Sequence, residues 1–111
     1  MILECSFRPK LADNLEAVLK RAGQEPSVVI LKMQKLRALD ARGMTAIERI
    51  YEQLQKRAIH LIVSDPHTQP LLTMQINGFI DKLGEENLCA PLEAALDRAR
   101  QILAQKPAIK G

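Results

Sequence analysis

Two spacings of apolar residues alternate along the chain. Runs rich in β-branched residues occur at residues 27–33 and 58–64, and four consecutive apolar positions in the first run are typical of a strand covered on both faces. Between the runs, apolar residues recur at intervals of three and four, which predicts helices that bury one face. The predicted strands are residues 2–7, 27–33, 58–64 and 88–89. The predicted helices are residues 11–22, 44–57, 69–77 and 91–104, with a short turn or helix at 79–83.

The predicted order β-α-β-α-β-α, with short links, indicates an α/β fold with a parallel sheet and helical crossovers. A chain of 111 residues is long enough for one domain, which we place at residues 1–104, followed by a frayed tail at 105–111. In open α/β sheets, binding sites lie at the loops that follow the strands. Here these loops are residues 34–43, 64–70 and 85–91.

Composition excludes several classes of protein. Aromatic residues make up only 3% of the chain, too few for a stacking platform that binds single-stranded nucleic acid. The longest apolar run has four residues and no signal peptide precedes it, so we expect a soluble, cytoplasmic chain. Cys5 and Cys89 are the only cysteines and form no CxxC motif, which favours free thiols over a disulfide or a metal site.

Catalytic signatures are weak. The chain has no glycine-rich phosphate loop and no HExxH motif. Ser64, Asp65 and His67 are the three side-chain types of a hydrolase triad, but such adjacency, with Pro66 between them, is more typical of a strand-to-helix turn. His67 and His60 are the only histidines, and no cysteine or carboxylate lies at ligand spacing from them. We therefore predict no catalytic, cofactor-binding or metal-binding residue.

The segment around Asp40 is the most informative part of the chain. Asp40 precedes an amphipathic helix and can cap it by accepting hydrogen bonds from its free N–H groups. Gly43, three residues later, permits a tight turn or the close approach of another group. A capped helix alone explains this pattern.

At this point the sequence resembles the STAS domain, a family named for sulfate transporters and anti-sigma factor antagonists. The resemblance extends over residues 26–103, and residues 39–44 are similar to the Asp-x-[Ser/Thr]-Gly loop of the family. The most specific segment, at residues 77–87, points to the SulP branch of sulfate transporters. The other matching segments are the strands at 27–33 and 56–64 and the helix at 91–99.

The resemblance implies a mostly parallel sheet of four to five strands with helices mainly on one face. It also implies a domain without enzymatic activity or cofactor, which regulates a SulP-type anion transporter at the cytoplasmic face of the cell membrane. Its partner would then be the transmembrane part of the transporter, and no nucleic acid.

The chain departs from the family pattern in two places. Arg42 occupies the position of the phosphorylated Ser or Thr, and an arginine has no hydroxyl group, so phosphorylation at that position is excluded. Only residues 2–7 are available for the opening strand of the family, and an uncovered sheet edge favours pairing with a second copy as a homodimer.

The cations of the loop after the second strand suggest an interaction surface for an acidic partner. Such a partner would be an acidic loop of the transporter or an acidic protein such as acyl carrier protein, and Arg42→Glu would weaken its capture, more so at low salt. Solubilising charges explain the same cations equally well. The predicted surface consists of Lys35, Arg37, Asp40, Arg42, Gly43 and Met44.

Two other functions remain open at this stage. The first is a free-standing protein like an anti-sigma factor antagonist that has lost its phosphorylatable residue. The second is a small α/β module that binds a nucleotide or an anion, although no phosphate-binding loop supports it.

Overall fold

The computed structural model describes residues 1–105. This part of the chain forms four strands and five helices, with two helices in succession after the third strand and a 3-10 turn at Glu85–Asn87 before the last strand. The strands are β1 (Ile2–Ser6), β2 (Val28–Lys32), β3 (His60–Ser64) and β4 (Leu88–Cys89). The helices are α1 (Leu11–Arg21), α2 (Ala41–Lys56), α3 (Thr68–Ile76), α4 (Phe79–Leu83) and α5 (Leu92–Gln105).

The four strands form one parallel sheet in the order β1-β2-β3-β4. The order in the sheet follows the order in the chain, so each right-handed crossover places its helix on the same side of the sheet. Helix α5 comes after the last strand and is therefore free to cover the opposite side. The predicted α/β fold, with helices mainly on one face, is confirmed.

Each face of the sheet has its own apolar core. In β2, Val29 and Leu31 pack into a large core with side chains of α1, α2, α3 and α4. Val28 and Ile30 pack into a smaller core under α5. All four side chains are buried, which explains why β2 is apolar at consecutive positions.

Two elements begin two residues or more away from the prediction, and the other bounds agree to within one residue. Helix α2 begins at Ala41 rather than at residue 44, so Arg42 lies in its first turn and not in the preceding loop. Strand β3 begins at His60 because Ala58 has a φ of 58°, which is not extended backbone. The segment at 79–83 is a helix. Gln105 belongs to α5, and residues 106–111 of the predicted tail lie outside the described residues.

Ion pairs fix α1 to the far end of α2, at the amino edge of the sheet. Arg57 contacts Glu16, and it also contacts Glu25 at 2.7 Å. The hydrogen bonds that Arg57 donates, to Glu16 first and to Glu25 second, raise the pKa of its guanidinium above the ordinary value. None of the helices in the described chain is long and apolar enough to cross a membrane.

Candidate functional site

The loop between β2 and α2 lies at the carboxyl edge of the sheet, where the fold predicts a binding site. Its backbone begins at Met33, whose N–H donates to the carbonyl of Ser64 at 3.0 Å. The side chain of Leu36 points inward and packs against the large core. The loop therefore runs over the ends of neighbouring strands, close to the loop that follows β3.

Asp40 caps helix α2, as predicted. Its backbone is extended, and Oδ1 accepts a hydrogen bond from the N–H of Gly43 at 2.9 Å. This bond satisfies one of the donors that a helix leaves free in its first turn. The position of the first turn of α2, and of Arg42 within it, depends on this cap.

Gly43 is required by the close packing of Leu39 and not by its backbone conformation. A Cβ atom built on Gly43 would lie 2.5 Å from Cδ1 of Leu39. Leu39 is only 3% exposed, so its side chain has little room to move away. Leu39 thus occupies the space that any side chain at position 43 would need.

Gln69, in the first turn of α3, binds the backbone of the loop at two points. The N–H of Leu39 donates to Oε1 of Gln69 at 2.6 Å, and Nε2 of Gln69 donates to the carbonyl of Leu39 at 3.2 Å. The amide group is held in place by a further bond from Nε2 to Oγ1 of Thr73 at 3.1 Å. Sequence analysis misses this contact because the two residues lie 30 positions apart.

His67 binds the other end of the same loop. Its Nε2 donates to the carbonyl of Gln34 at 2.6 Å. Gln34 and Leu39 are therefore both bound to the segment that begins α3. These contacts hold the loop between them beside that helix.

Lys35 and Arg37 lie in this bound loop and point outward. Both are exposed, whereas Leu36 between them packs inward. Neither cation forms an ion pair with another residue of the range 1–105. The loop therefore presents two uncompensated positive charges next to α3.

Arg42 lies on the opposite flank of α2, in a groove shared with the start of α1. The groove has a volume of about 570 Å³, and its lining includes Lys10, Thr45 and Arg49. Arg49 is paired with Asp13 at 3.0 Å, which leaves Arg42 and Lys10 as the uncompensated cations of the groove. The predicted surface is therefore divided into two cationic patches by the first turn of α2.

Two residues of the predicted surface are not accessible. Gly43 is buried, and Met44 is 4% exposed within the large core. They support the surface from beneath. Asp40 is exposed but is engaged in capping the helix.

The side chains that resemble a hydrolase triad do not form one. Ser64 is 1% exposed, and its hydroxyl has no hydrogen-bond partner among the described residues. His67 is bound to Gln34 instead. Asp65 adopts a φ of 54°, as expected of an Asp in a turn.

Both cysteines are free, as the sequence predicts, and both are only partly buried. Burial raises the pKa of the Cys5 thiol above its ordinary value of 9.0, against a smaller lowering effect of Lys32. Burial likewise raises the pKa of Cys89, with Arg98 opposing it. Thiols with raised pKa values are poor nucleophiles at neutral pH.

Comparison with protein families gives a match to the model of the STAS domain over residues 9–99. The chain is 27% identical over 85 residues to low affinity sulfate transporter 3 of Stylosanthes hamata, a match that covers 77% of this chain and 13% of the relative. It is 33% identical over 85 residues to probable sulfate transporter 4.2 of Arabidopsis thaliana, covering 72% of this chain and 13% of the relative. The chain thus spans about an eighth of the length of these transporters.

Two solved structures share the fold. One is a sulfate transporter family protein from Wolinella succinogenes, with a TM-score of 0.82 and 28% identity over 94% of this chain and 88% of that one. The other is the STAS domain of a SulP transporter from Vibrio cholerae, with a TM-score of 0.78 and 26% identity over 94% of this chain and 82% of that one. Both similarities extend over nearly the whole described sheet and its helices.

Proposed function

We propose that this chain, which belongs to the STAS domain family, is the regulatory domain of a SulP-type anion transporter. It acts at the cytoplasmic face of the membrane, where it binds the transmembrane part of the transporter and catalyses no reaction. The similarity to sulfate transporters and to a SulP STAS domain supports the assignment to this branch. The transported anion that these relatives suggest is sulfate.

The observation that carries a binding role is the bound loop between β2 and α2. Gln69 and His67 fix its backbone at two points, while Lys35 and Arg37 remain exposed and uncompensated. A loop held rigid in this way loses little conformational entropy on binding, which favours its use as a docking surface. The assigned surface comprises Lys35, Arg37, Asp40 and Arg42, supported from beneath by Gly43 and Met44.

The charge of this surface favours an acidic partner. An acidic cytoplasmic loop of the transporter itself satisfies this requirement, and an acidic carrier such as acyl carrier protein is a second partner of the same chemistry. Complementary charge of this kind mainly sets the rate of encounter and the choice of partner. Pairing of a second copy along the edge of β1 remains a separate proposal, which concerns assembly rather than partner recognition.

The described residues Ser64, Asp65 and His67 do not form an aligned nucleophile and base. The hydroxyl of Ser64 is buried, and the imidazole of His67 is hydrogen-bonded to the carbonyl of Gln34. Regulation by phosphorylation at the family position is not available, because Arg42 stands there. This difference also argues against an antagonist that switches by phosphorylation at this site.

Measurement of sulfate uptake in the host organism tests the proposed function. The chromosomal gene is altered to carry Lys35→Glu together with Arg37→Glu. We expect an uptake rate changed by about twofold or more, the effect of a coupling of about 0.5 kcal/mol between domains. Equal abundance of the protein in the membrane fraction is checked by immunoblotting.

The control is Lys20→Glu with Arg21→Glu, the same change of charge at the exposed end of α1. It is expected to leave uptake unchanged. If deletion of the gene leaves sulfate uptake at its original rate, the proposed function is wrong. Recovery of the protein without any association with membranes would contradict it equally.

A further inference from the structure

Helix α3 carries an apolar stripe on its exposed side. Leu72 is 50% exposed and Ile76 is 83% exposed, and apart from Met1 they are the only large apolar side chains so exposed in residues 1–105. The opposite side of α3 is also apolar, with Pro70 and Met74 buried in the fold. Burial of the helix against its own domain therefore does not explain the exposed stripe.

The stripe lies on the same side of α3 as Gln69, the residue that binds the loop between β2 and α2. Leu72 and Ile76 follow Gln69 by three and seven positions, so all three share one face of the helix. Leu72 and Ile76 are one turn apart, with about 5–6 Å between their Cβ atoms. They form one continuous apolar contact area rather than two scattered residues.

The segment that carries the stripe is uncharged, and the loop bound to its first turn carries two exposed cations. Residues 66–80 contain no Asp, Glu, Lys or Arg, the longest such stretch in the chain. The nearest cations in the bound loop are Lys35 and Arg37. Gln34 and Leu39, on either side of them, are bound to His67 and Gln69 of the α3 segment.

We propose that the stripe of α3 and the adjacent loop form a docking site for an amphipathic helix of a partner protein. The apolar face of that helix covers Leu72 and Ile76, and acidic residues along its border pair with Lys35 and Arg37. This inference rests on the proposed function and specifies the chemistry of its partner. Two apolar anchors on one helix, bordered by charge, are typical of recognition of a helix by a helix face.

Two other occupants fit the site less well. A second copy of the chain would bring the same cations together, and like charges at an interface are unfavourable. A lipid bilayer would gain little, since Leu72 and Ile76 together have fewer carbon atoms than one myristoyl chain, which itself gives only marginal membrane binding. Charge complementarity therefore selects an acidic protein segment.

Two designed helical peptides test the proposal. Both carry one stripe of leucines, and this stripe is bordered by glutamates in the first peptide and by lysines in the second. Each is titrated into the full chain at low ionic strength, and the methyl NMR signals of Leu72 and Ile76 are followed. We expect saturable binding of the glutamate peptide, weakened by added salt, and no binding of the lysine peptide.

Variants connect the binding to the named residues. Leu72→Gln with Ile76→Gln is expected to weaken binding about tenfold or more, because the anchors of an interface carry most of its affinity. Lys35→Glu with Arg37→Glu is expected to weaken binding and to abolish its weakening by added salt, because attraction becomes repulsion, whereas Lys20→Glu with Arg21→Glu has no effect. Circular dichroism and the urea midpoint verify that each variant is folded, which is expected for exposed positions.

Several results would overturn the proposal. They are equal affinity for both peptides, no saturable binding of the glutamate peptide, or binding that survives the change of Leu72 and Ile76. Sedimentation with phosphatidylserine vesicles that depends on the same two residues would assign the stripe to a membrane instead. A dimer lost in Ile76→Gln would assign it to a second copy. If uptake still responds to Lys35→Glu with Arg37→Glu, the proposed function stands although the docking helix does not.

Discussion

Gln69 binds both polar groups of the Leu39 backbone, accepting from its N–H at 2.6 Å and donating to its carbonyl at 3.2 Å. A side-chain amide has a donor and an acceptor side by side, so it pairs with a peptide unit as another strand would. Through this contact, the first turn of α3 fixes the loop that precedes α2. The side chain of Leu39 in turn packs against Gly43, and the position of the cationic loop is thus coupled to the start of α2.

Removal of this amide is expected to destabilise the protein. In Gln69→Ala, the N–H and carbonyl of Leu39 lose their partner in a part-buried position, at a cost of about 1–3 kcal/mol. Urea unfolding followed by circular dichroism measures the loss. Gln75→Ala, at an exposed position of the same helix, is the control and is expected to change stability by less than about 0.5 kcal/mol. Equal losses in both variants would show that the contact contributes nothing.

Loss of the cap of α2 is expected to lower stability less than removal of the Gln69 amide. Asp40→Ala removes the acceptor for the N–H of Gly43 and is expected to lower the free energy of unfolding by about 1 kcal/mol. Asp40→Asn keeps an acceptor oxygen and is expected to retain most of the stability. Urea unfolding of both variants measures the two free energies. A cost for Asp40→Asn as large as that for Asp40→Ala would mean that the side chain does not act as a cap.

A side chain at position 43 is expected to clash with Leu39. Gly43→Val places branched atoms where Cδ1 of Leu39 already lies, and overpacking of this kind costs about 1–3 kcal/mol. The clash is relieved when Leu39 is shortened, so Gly43→Val is expected to cost at least about 0.5 kcal/mol less in a Leu39→Ala background. A double-mutant cycle by urea unfolding measures this coupling. Strictly additive effects would show that the two residues do not compete for space.

The sequence predicts most of the fold because strands and helices differ in the spacing of their apolar residues. These residues are consecutive in a strand covered on both faces and recur every three or four positions in a helix. Strand β2 is apolar at the consecutive positions 28–31 since helices cover both of its faces, and the apolar pattern by itself indicates this double coverage. The same pattern places the start of α2 three residues late, since Ala41 and Arg42 do not extend its apolar stripe. Only the cap at Asp40 indicates the correct start.

The candidate site is predicted less completely, because its geometry depends on contacts between distant residues. Closeness in sequence groups Lys35, Arg37 and Arg42, but α2 separates Arg42 from the other two. The contacts of His67 and Gln69 with the loop join residues 33 and 30 positions apart. The exposed stripe of α3 could be predicted from the sequence, since apolar residues occur on both sides of that helix.

Stability at alkaline pH is expected to depend on Cys5. Burial raises the pKa of this thiol in the folded state above its ordinary value of 9.0, so the folded protein holds the proton more tightly than the unfolded chain. Its contribution to stability is complete below pH 9 and is lost as the pH rises through the folded pKa. Urea unfolding between pH 7 and about pH 11, the range that covers thiol ionisation, is expected to show a smaller alkaline loss for Cys5→Ala than for the original chain. Identical pH profiles would exclude this effect of Cys5.

The two cationic patches are expected to act separately, and Lys10 provides the means to show it. Lys10 and Arg42 line the same groove and lack an ion pair within the described chain, whereas Lys35 and Arg37 lie beside α3. Lys10→Glu is therefore expected to change sulfate uptake in the same direction as Arg42→Glu, because both reverse a charge that faces one partner surface. When the titration is repeated at about 0.1 M salt, neither change is expected to alter the affinity for the glutamate peptide by more than about twofold, since most of the interaction is screened beyond the Debye length of about 10 Å at that ionic strength. Lys56→Glu, an equal reversal at the exposed far end of α2, is the control for both measurements. If Arg42→Glu weakens peptide binding as strongly as Lys35→Glu with Arg37→Glu, the cations form one continuous surface, and the division of the site by α2 is wrong.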